Sequence, residues 1–189
     1  MFETLIQKDK QLLIYLNSLG SDTWDSFWLL ITNQFNWTPL FLLLVILFFK
    51  LLGWKKGAFL FLFLIVMITF SDQFTNLIRA TFERLRPNND PSINHMLRTL
   101  INPQNYSFTS GHATTSMTFS VFMYLLFKDH YKYIKLIFIF PLLFAYSRLY
   151  LGVHFPIDIC VGAMIGTTIG FSFFKLHQLV QRKLFLNIS

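Results

Sequence analysis

Charge is what this sequence lacks most: Asp, Glu, Lys and Arg make up only 13 % of its 189 residues. A water-exposed globule of that size would need far more, so the soluble globular class is excluded. There is one cysteine, Cys160, which rules out an internal disulfide, and its place in an apolar run suggests packing. The opening residues Met1 to Lys10 are polar, without the apolar core of a cleavable secretory signal. Hydrophobicity is what remains in excess, with 54 % apolar residues and 24 phenylalanines. The length suits one domain, taken here as 1–189, and the class is a membrane protein.

Five apolar segments run from about Trp37 to Leu52, Gly57 to Arg79, Gly111 to Phe127, Tyr133 to Tyr150 and Pro156 to Phe174. Backbone polar groups in lipid must be satisfied internally, so each segment is expected to be a helix and the fold an all-α membrane bundle. Residues 1–36 read differently. Leu5, Leu12, Leu13, Leu16 and Leu19, then Trp24, Phe27, Trp28 and Ile31, suggest two amphipathic helices lying in the interface. A sixth crossing near 21–36 is opposed by Asp22, Asp25, Asn33 and Gln34, so five crossings with the N-terminus outside are expected.

The formal charge is +7, but the basic residues fall between apolar runs rather than on one helix face, so topology explains them and nucleic acid is set aside as a partner. Lys50, Lys55, Lys56, Lys128, Lys132, Lys135, Lys175, Arg182 and Lys183 share one side of such a bundle, which makes that side cytoplasmic. Arg79, Arg84, Arg86, Arg98 and Arg148 gather on the other side against that tendency, and a functional need for positive charge is the simplest reason.

Three stretches carry chemistry, all at outer helix ends. Asp72, Asn76, Arg79, Glu83 and Arg86 recur at helical spacing before Pro87 closes the helix. They are either an internal ion-pair stripe, Asp72 with Arg79 and Glu83 with Arg86, or one wall of a site. Thr109-Ser110-Gly111-His112 opens the third apolar segment. Thr109 or Ser110 can cap that helix, whose free N–H groups attract anions, and His112 could hand a proton to a leaving oxygen. Ser147-Arg148 and His154-Phe155-Pro156-Ile157-Asp158 put a fork-shaped cation beside a histidine that a carboxylate can orient. Between the first two lies the longest loop, where Ile93, Met96, Leu97, Leu100 and Ile101 suggest a short interfacial helix, either a gate beside the lipid or, as nothing in it is chemically distinctive, a loop cover. Gly162, Gly166 and Gly170, four apart, let the last helix pack closely on a neighbour.

These residues resemble the type 2 phosphatidic acid phosphatase family of membrane phosphatases. Its signature is Lys-x6-Arg-Pro, Pro-Ser-Gly-His, then Ser-Arg-x5-His-x3-Asp. The chain carries Arg79-x6-Arg86-Pro87, Thr109-Ser110-Gly111-His112 and Ser147-Arg148-x5-His154-x3-Asp158. Arg79 replaces the family's lysine and Thr109 its proline, which leaves the class intact but could shift substrate preference. The resemblance implies a catalytic bundle over 37–175 in which His154 attacks phosphorus, Asp158 orients it and His112 protonates the leaving oxygen. Arg79, Arg86, Arg148, Ser110 and the Gly111 N–H would hold the phosphate. It also implies no metal or other cofactor, and a lipid phosphate as substrate. Undecaprenyl diphosphate, phosphatidylglycerol phosphate and lipid A 1-phosphate all fit, with the site on the outer face of a bacterial inner membrane. A phosphotransferase using the same phosphohistidine and a non-enzymatic small transporter are the rival readings. Vanadium haloperoxidases share the signature, but their solubility sets them apart. Oligomeric state is not legible.

Overall fold

The computed structural model describes residues 2–185, and its regular structure is helical throughout. Helix α1 spans Phe2–Ser18 and α2 spans Asp22–Thr32. Helix α3 spans Thr38–Phe82 and is broken at Gly53, whose φ of 74° is open to glycine at little cost. The break gives two arms that share one core: Phe41, Leu44 and Phe48 of the first meet Leu60, Leu64 and Met67 of the second. Helix α4 spans Gly111–Phe127 and α5 spans Ile139–Tyr150, preceded by a 3-10 turn at Ile134–Phe138; α6 spans Pro156–Phe185. All five apolar segments are thus helical, the last running further than its apolar part. By length and composition, two stretches among the described residues are able to cross a membrane, Gln34–Asn89 and Pro156–Leu184.

Helices α4 and α6 form the most extensive pair. They run parallel in strict register. A Cβ added at Gly162 would lie 2.9 Å from the Ser110 carbonyl oxygen, at Gly166 2.3 Å from that of Thr114, and at Gly170 2.6 Å from that of Thr118. The glycine stripe is therefore a backbone-to-backbone seam. On α4 the hydroxyls of Thr114 and Ser116 are buried and bond back to the Ser110 and His112 carbonyls, at 3.0 and 2.6 Å. Neither hydroxyl is left without an acceptor. The seam sets the N-termini of α4 and α6 side by side, and the Ser110 N–H donates to the Asp158 carbonyl at 3.1 Å. The second arm of α3 ends at the same place, with the Arg79 guanidinium over Gly111.

The N-terminal helices differ from expectation in which face they bury. Leu5 and Leu12 of α1, and Leu19 just after it, point outward, as an interfacial helix requires. Its inward face is Asp9, Leu13 and Asn17, one residue per turn and mostly polar. Asn17 donates to the Arg98 and Tyr150 carbonyls and accepts from the Arg98 N–H. Helix α2 packs Trp28 against Tyr146 and Tyr150, and its Asp22 and Asp25 pair with Arg98. The interfacial helix expected across Ile93–Ile101 reduces to one 3-10 turn, Asn94–Met96. Ile93 is nonetheless buried against Leu13 and Phe155, so the segment is a cover without being a helix.

Candidate active site

The polar face of α3 holds for three residues and then stops. The Asn76 amide donates to Asp72 at 3.2 Å and accepts from Arg79 at 3.3 Å, while Arg79 Nε donates to the Thr109 carbonyl at 2.9 Å. Glu83, expected to continue the ladder and pair with Arg86, instead ends the helix in a left-handed conformation (φ 47°, ψ 27°). It is exposed and has no ion pair among the described residues. The helix ends at Phe82, before the polar period can reach Glu83 and Arg86. Arg86, beyond it in extended backbone, turns inward and is 3 % exposed.

Arg86 bonds the Asn105 carbonyl at 2.8 Å, the Val153 carbonyl at 3.0 Å and His154 Nε2 at 2.9 Å. A guanidinium only donates, so Nε2 carries the lone pair and Nδ1 the proton. That proton faces Asp158 Oδ2 at 3.5 Å, a loose contact that leaves Nδ1 without a hydrogen bond within reach. His154 lies in the loop between α5 and α6 and is fully buried. Burial first, then the charges of Arg86, Arg148 and Arg79, holds its pKa well below the usual histidine value. The ring is neutral at physiological pH, as a nitrogen nucleophile must be. Burial, aided by the Arg79 charge, brings Arg86 down to about 10, so it remains a cation at neutral pH.

Asp158 sits in the first turn of α6 and accepts the Phe155 N–H at 3.0 Å. That is the reach-back of a capping box, and it fixes one carboxylate oxygen next to His154. Ser110 caps α4 through its own side chain, and Arg79 packs so close over Gly111 that a Cβ there would come within 3.0 Å of its Nη2. Arg148, 6 % exposed, donates to the Thr32 hydroxyl at 2.7 Å, and His112 Nε2 lies 3.2 Å from the Thr32 carbonyl. The last residue of α2 therefore contacts both groups, while Arg148 Nε is left without a partner.

The structure brings all eight expected residues to one end of the bundle, in two sets that meet electrostatically. Arg79, Gly111 and His112 border a cavity of about 720 Å³. Arg86, His154 and Asp158 lie behind them. Away from this end the cavity is lined by Phe41, Leu44, Val45, Leu64 and Ile65, between the two arms of α3. Arg79, Arg86 and Arg148 have no carboxylate partner among the described residues, although two of them are buried. Buried cations left unpaired are costly, and their convergence makes the site one for a multiply charged anion.

Sequence reasoning missed three participants. Thr32 carried no signal. Arg84 was grouped with the outer cations but given no role; it bridges Asp158 and Asp9 at 2.6 and 2.7 Å. Asp9 could have been found as one end of the Asp9, Leu13, Asn17 stripe.

An all-helical chain with apolar membrane-length stretches and an arginine-rich end that holds two buried or part-buried histidines is what fold and site define. Residues 58–182 match the model of the PAP2 superfamily, and the chain belongs to that family. Among its relatives is a lipid A 4'-phosphatase of Bacteroides thetaiotaomicron, 32 % identical over 96 % of this chain and 83 % of the relative. Among solved structures, Aquifex aeolicus LpxE covers 87 % of this chain and 93 % of its own, with a TM-score of 0.69 and 25 % identity. A transmembrane PAP2-type phosphatidylglycerolphosphate phosphatase of Bacillus subtilis aligns over 95 % of this chain and 89 % of its own, with a TM-score of 0.72. At 17 % identity that likeness speaks for the fold.

Proposed function

We propose that this PAP2 enzyme removes a phosphate from a lipid at the outer face of a bacterial inner membrane. The observation that carries this is the convergence of three carboxylate-free arginines and two histidines at one end of the bundle, where Arg79 and His112 border an apolar cavity. The anion site and the hydrocarbon-lined space are continuous, as a lipid phosphate requires. His154 Nε2 attacks phosphorus as the bond to the lipid oxygen breaks, and His112 gives that oxygen its proton. Water then cleaves the phosphorus–nitrogen bond, returns a proton to His112 and releases phosphate. Arg79, Arg86 and Arg148, with Ser110 and the Gly111 N–H at the start of α4, hold the phosphoryl oxygens. Asp158 keeps the His154 proton on Nδ1.

The arms of α3, with α4, α5 and α6, supply five crossings around one domain spanning 1–189, with α1 and α2 lying in the interface. Lipid A 4'-phosphate, the substrate named for one relative, joins lipid A 1-phosphate, undecaprenyl diphosphate and phosphatidylglycerol phosphate, which the sequence resemblance implies, as candidates to compare. The test is a panel of these four with the purified full chain, reading free phosphate with no acceptor added. One or more should release phosphate, and His154→Ala should be folded and inert. Phosphate release only on adding an alcohol acceptor would make the protein a transferase. Full turnover by His154→Ala would overturn the mechanism.

A further inference from the structure

Arg84 belongs to none of the groups assigned to phosphate, yet it touches the active centre. Its Nη1 lies 2.6 Å from Asp158 Oδ1 and its Nη2 2.7 Å from Asp9 Oδ2. Its guanidinium carbon sits 3.8 Å above the Phe155 ring. Both amino ends are committed and two carboxylates neutralise its charge, so it has little to offer a phosphate. Asp9 is itself anchored to the turn that carries Asp158, because its Oδ1 accepts the Ile157 N–H at 2.9 Å. The Asp9 and Asp158 side chains are 1 % and 0 % exposed.

From this geometry we propose that Asp9 and Arg84 are positioning residues for Asp158, so that α1 is a working part of the active centre. The Asp158 carboxylate has two tasks. Oδ2 must face the His154 Nδ1 proton, and Oδ1 must be held so that the group does not rotate. Arg84 supplies the second hold. Asp9 keeps Arg84 from closing with both amino ends on Asp158, which would draw Oδ2 from the histidine. The proposal rests on His154 being the nucleophile and Asp158 its orienting carboxylate.

The experiment compares wild type, Asp9→Asn, Arg84→Gln, Arg84→Lys and His154→Ala as purified full-length protein in detergent. It uses whichever panel substrate wild type hydrolyses fastest, with orthovanadate as the phosphate-site probe. Asp9→Asn and Arg84→Gln should lower kcat about ten- to a hundredfold, the usual cost of losing an outer partner that orients a histidine. KM and the orthovanadate inhibition constant should stay within about twofold, because the lost contact is not with phosphate. Arg84→Lys keeps one charge on one carboxylate and should recover part of kcat. Thermal unfolding measured alongside reports the folded fraction, and the nearly isosteric Asp9→Asn covers the case in which Arg84→Gln does not fold. Wild-type kcat in folded Asp9→Asn, with His154→Ala inert, overturns the positioning role alone. An orthovanadate constant that rises in step with the loss of kcat assigns Arg84 to phosphate and also overturns it. Turnover by His154→Ala removes the reading on which the proposal stands.

Discussion

Arg79 shows how closely one side chain is held at this site. Its Nε is spent on the Thr109 carbonyl, its Nη1 on Asn76, and its Nη2 lies against Gly111 at the start of α4. The guanidinium plane is thereby fixed, with Asp72 behind Asn76 steadying the amide. An ammonium in its place keeps the charge but gives up the fork. Arg79→Ala should lower kcat/KM about ten- to a hundredfold, the effect of one charge-assisted hydrogen bond of about 1.5–3 kcal/mol made at the transition state. Arg79→Lys should fall between that and wild type. Measuring kcat/KM and thermal stability together decides the matter. A loss of stability with unchanged kcat/KM would make Arg79 structural. At this scale the sequence was informative wherever a residue's role follows from its near neighbours, as for Ser110 capping α4 and Asp158 lying in the first turn of α6. It was silent for Thr32 and Asp9, whose partners lie far along the chain: Arg148 for the one, Arg84 and the Ile157 N–H for the other.

Helices α4 and α6 matter as a pair because their seam registers two parts of the site. A Cβ at Gly166 would sit 2.3 Å from the Thr114 carbonyl oxygen, closer than any real contact, and backbone on both sides leaves no flexible neighbour to yield. Gly166→Ala should therefore cost about 1–3 kcal/mol, as overpacking does. It should also lower kcat, since the Ser110–Asp158 link at the head of the seam would shift. Met164, 70 % exposed on the same helix, supplies the control: Met164→Ala should stay within about 0.5 kcal/mol. Thermal denaturation in detergent reads both, and equal stability of the two variants would mean the helices are not packed as tightly as described. The seam was legible from three glycines at four-residue steps. The buried face of α1 was not, because Asp9 and Asn17 look like the solvated side of an interfacial helix until their partners are known.

At the scale of the whole molecule, charge separates the two ends of the bundle. Arg79, Arg84, Arg86, Arg98 and Arg148 cluster at the end that holds the site, where Arg84 and Arg98 are paired with carboxylates. Lys55 and Lys56 follow the Gly53 break between the arms of α3, Lys128 ends α4, and Arg182 and Lys183 lie in the last turn of α6, all at the opposite end. Loops rich in free lysine and arginine tend to stay on the cytoplasmic side, which is the support for the proposal that the site faces out. Cationic side chains at the outer end do not contradict this, because carboxylates and buried contacts hold them in place of solvent. Labelling in intact cells tests the assignment. The exposed native Cys160 is first removed as Cys160→Ala, then Gln104→Cys or Lys55→Cys is introduced at exposed positions on the two ends. Gln104→Cys should react with a membrane-impermeant thiol reagent in intact cells, and Lys55→Cys only after permeabilisation. The reverse pattern would turn the bundle over and place the phosphate site, with whatever lipid it serves, on the cytoplasmic face.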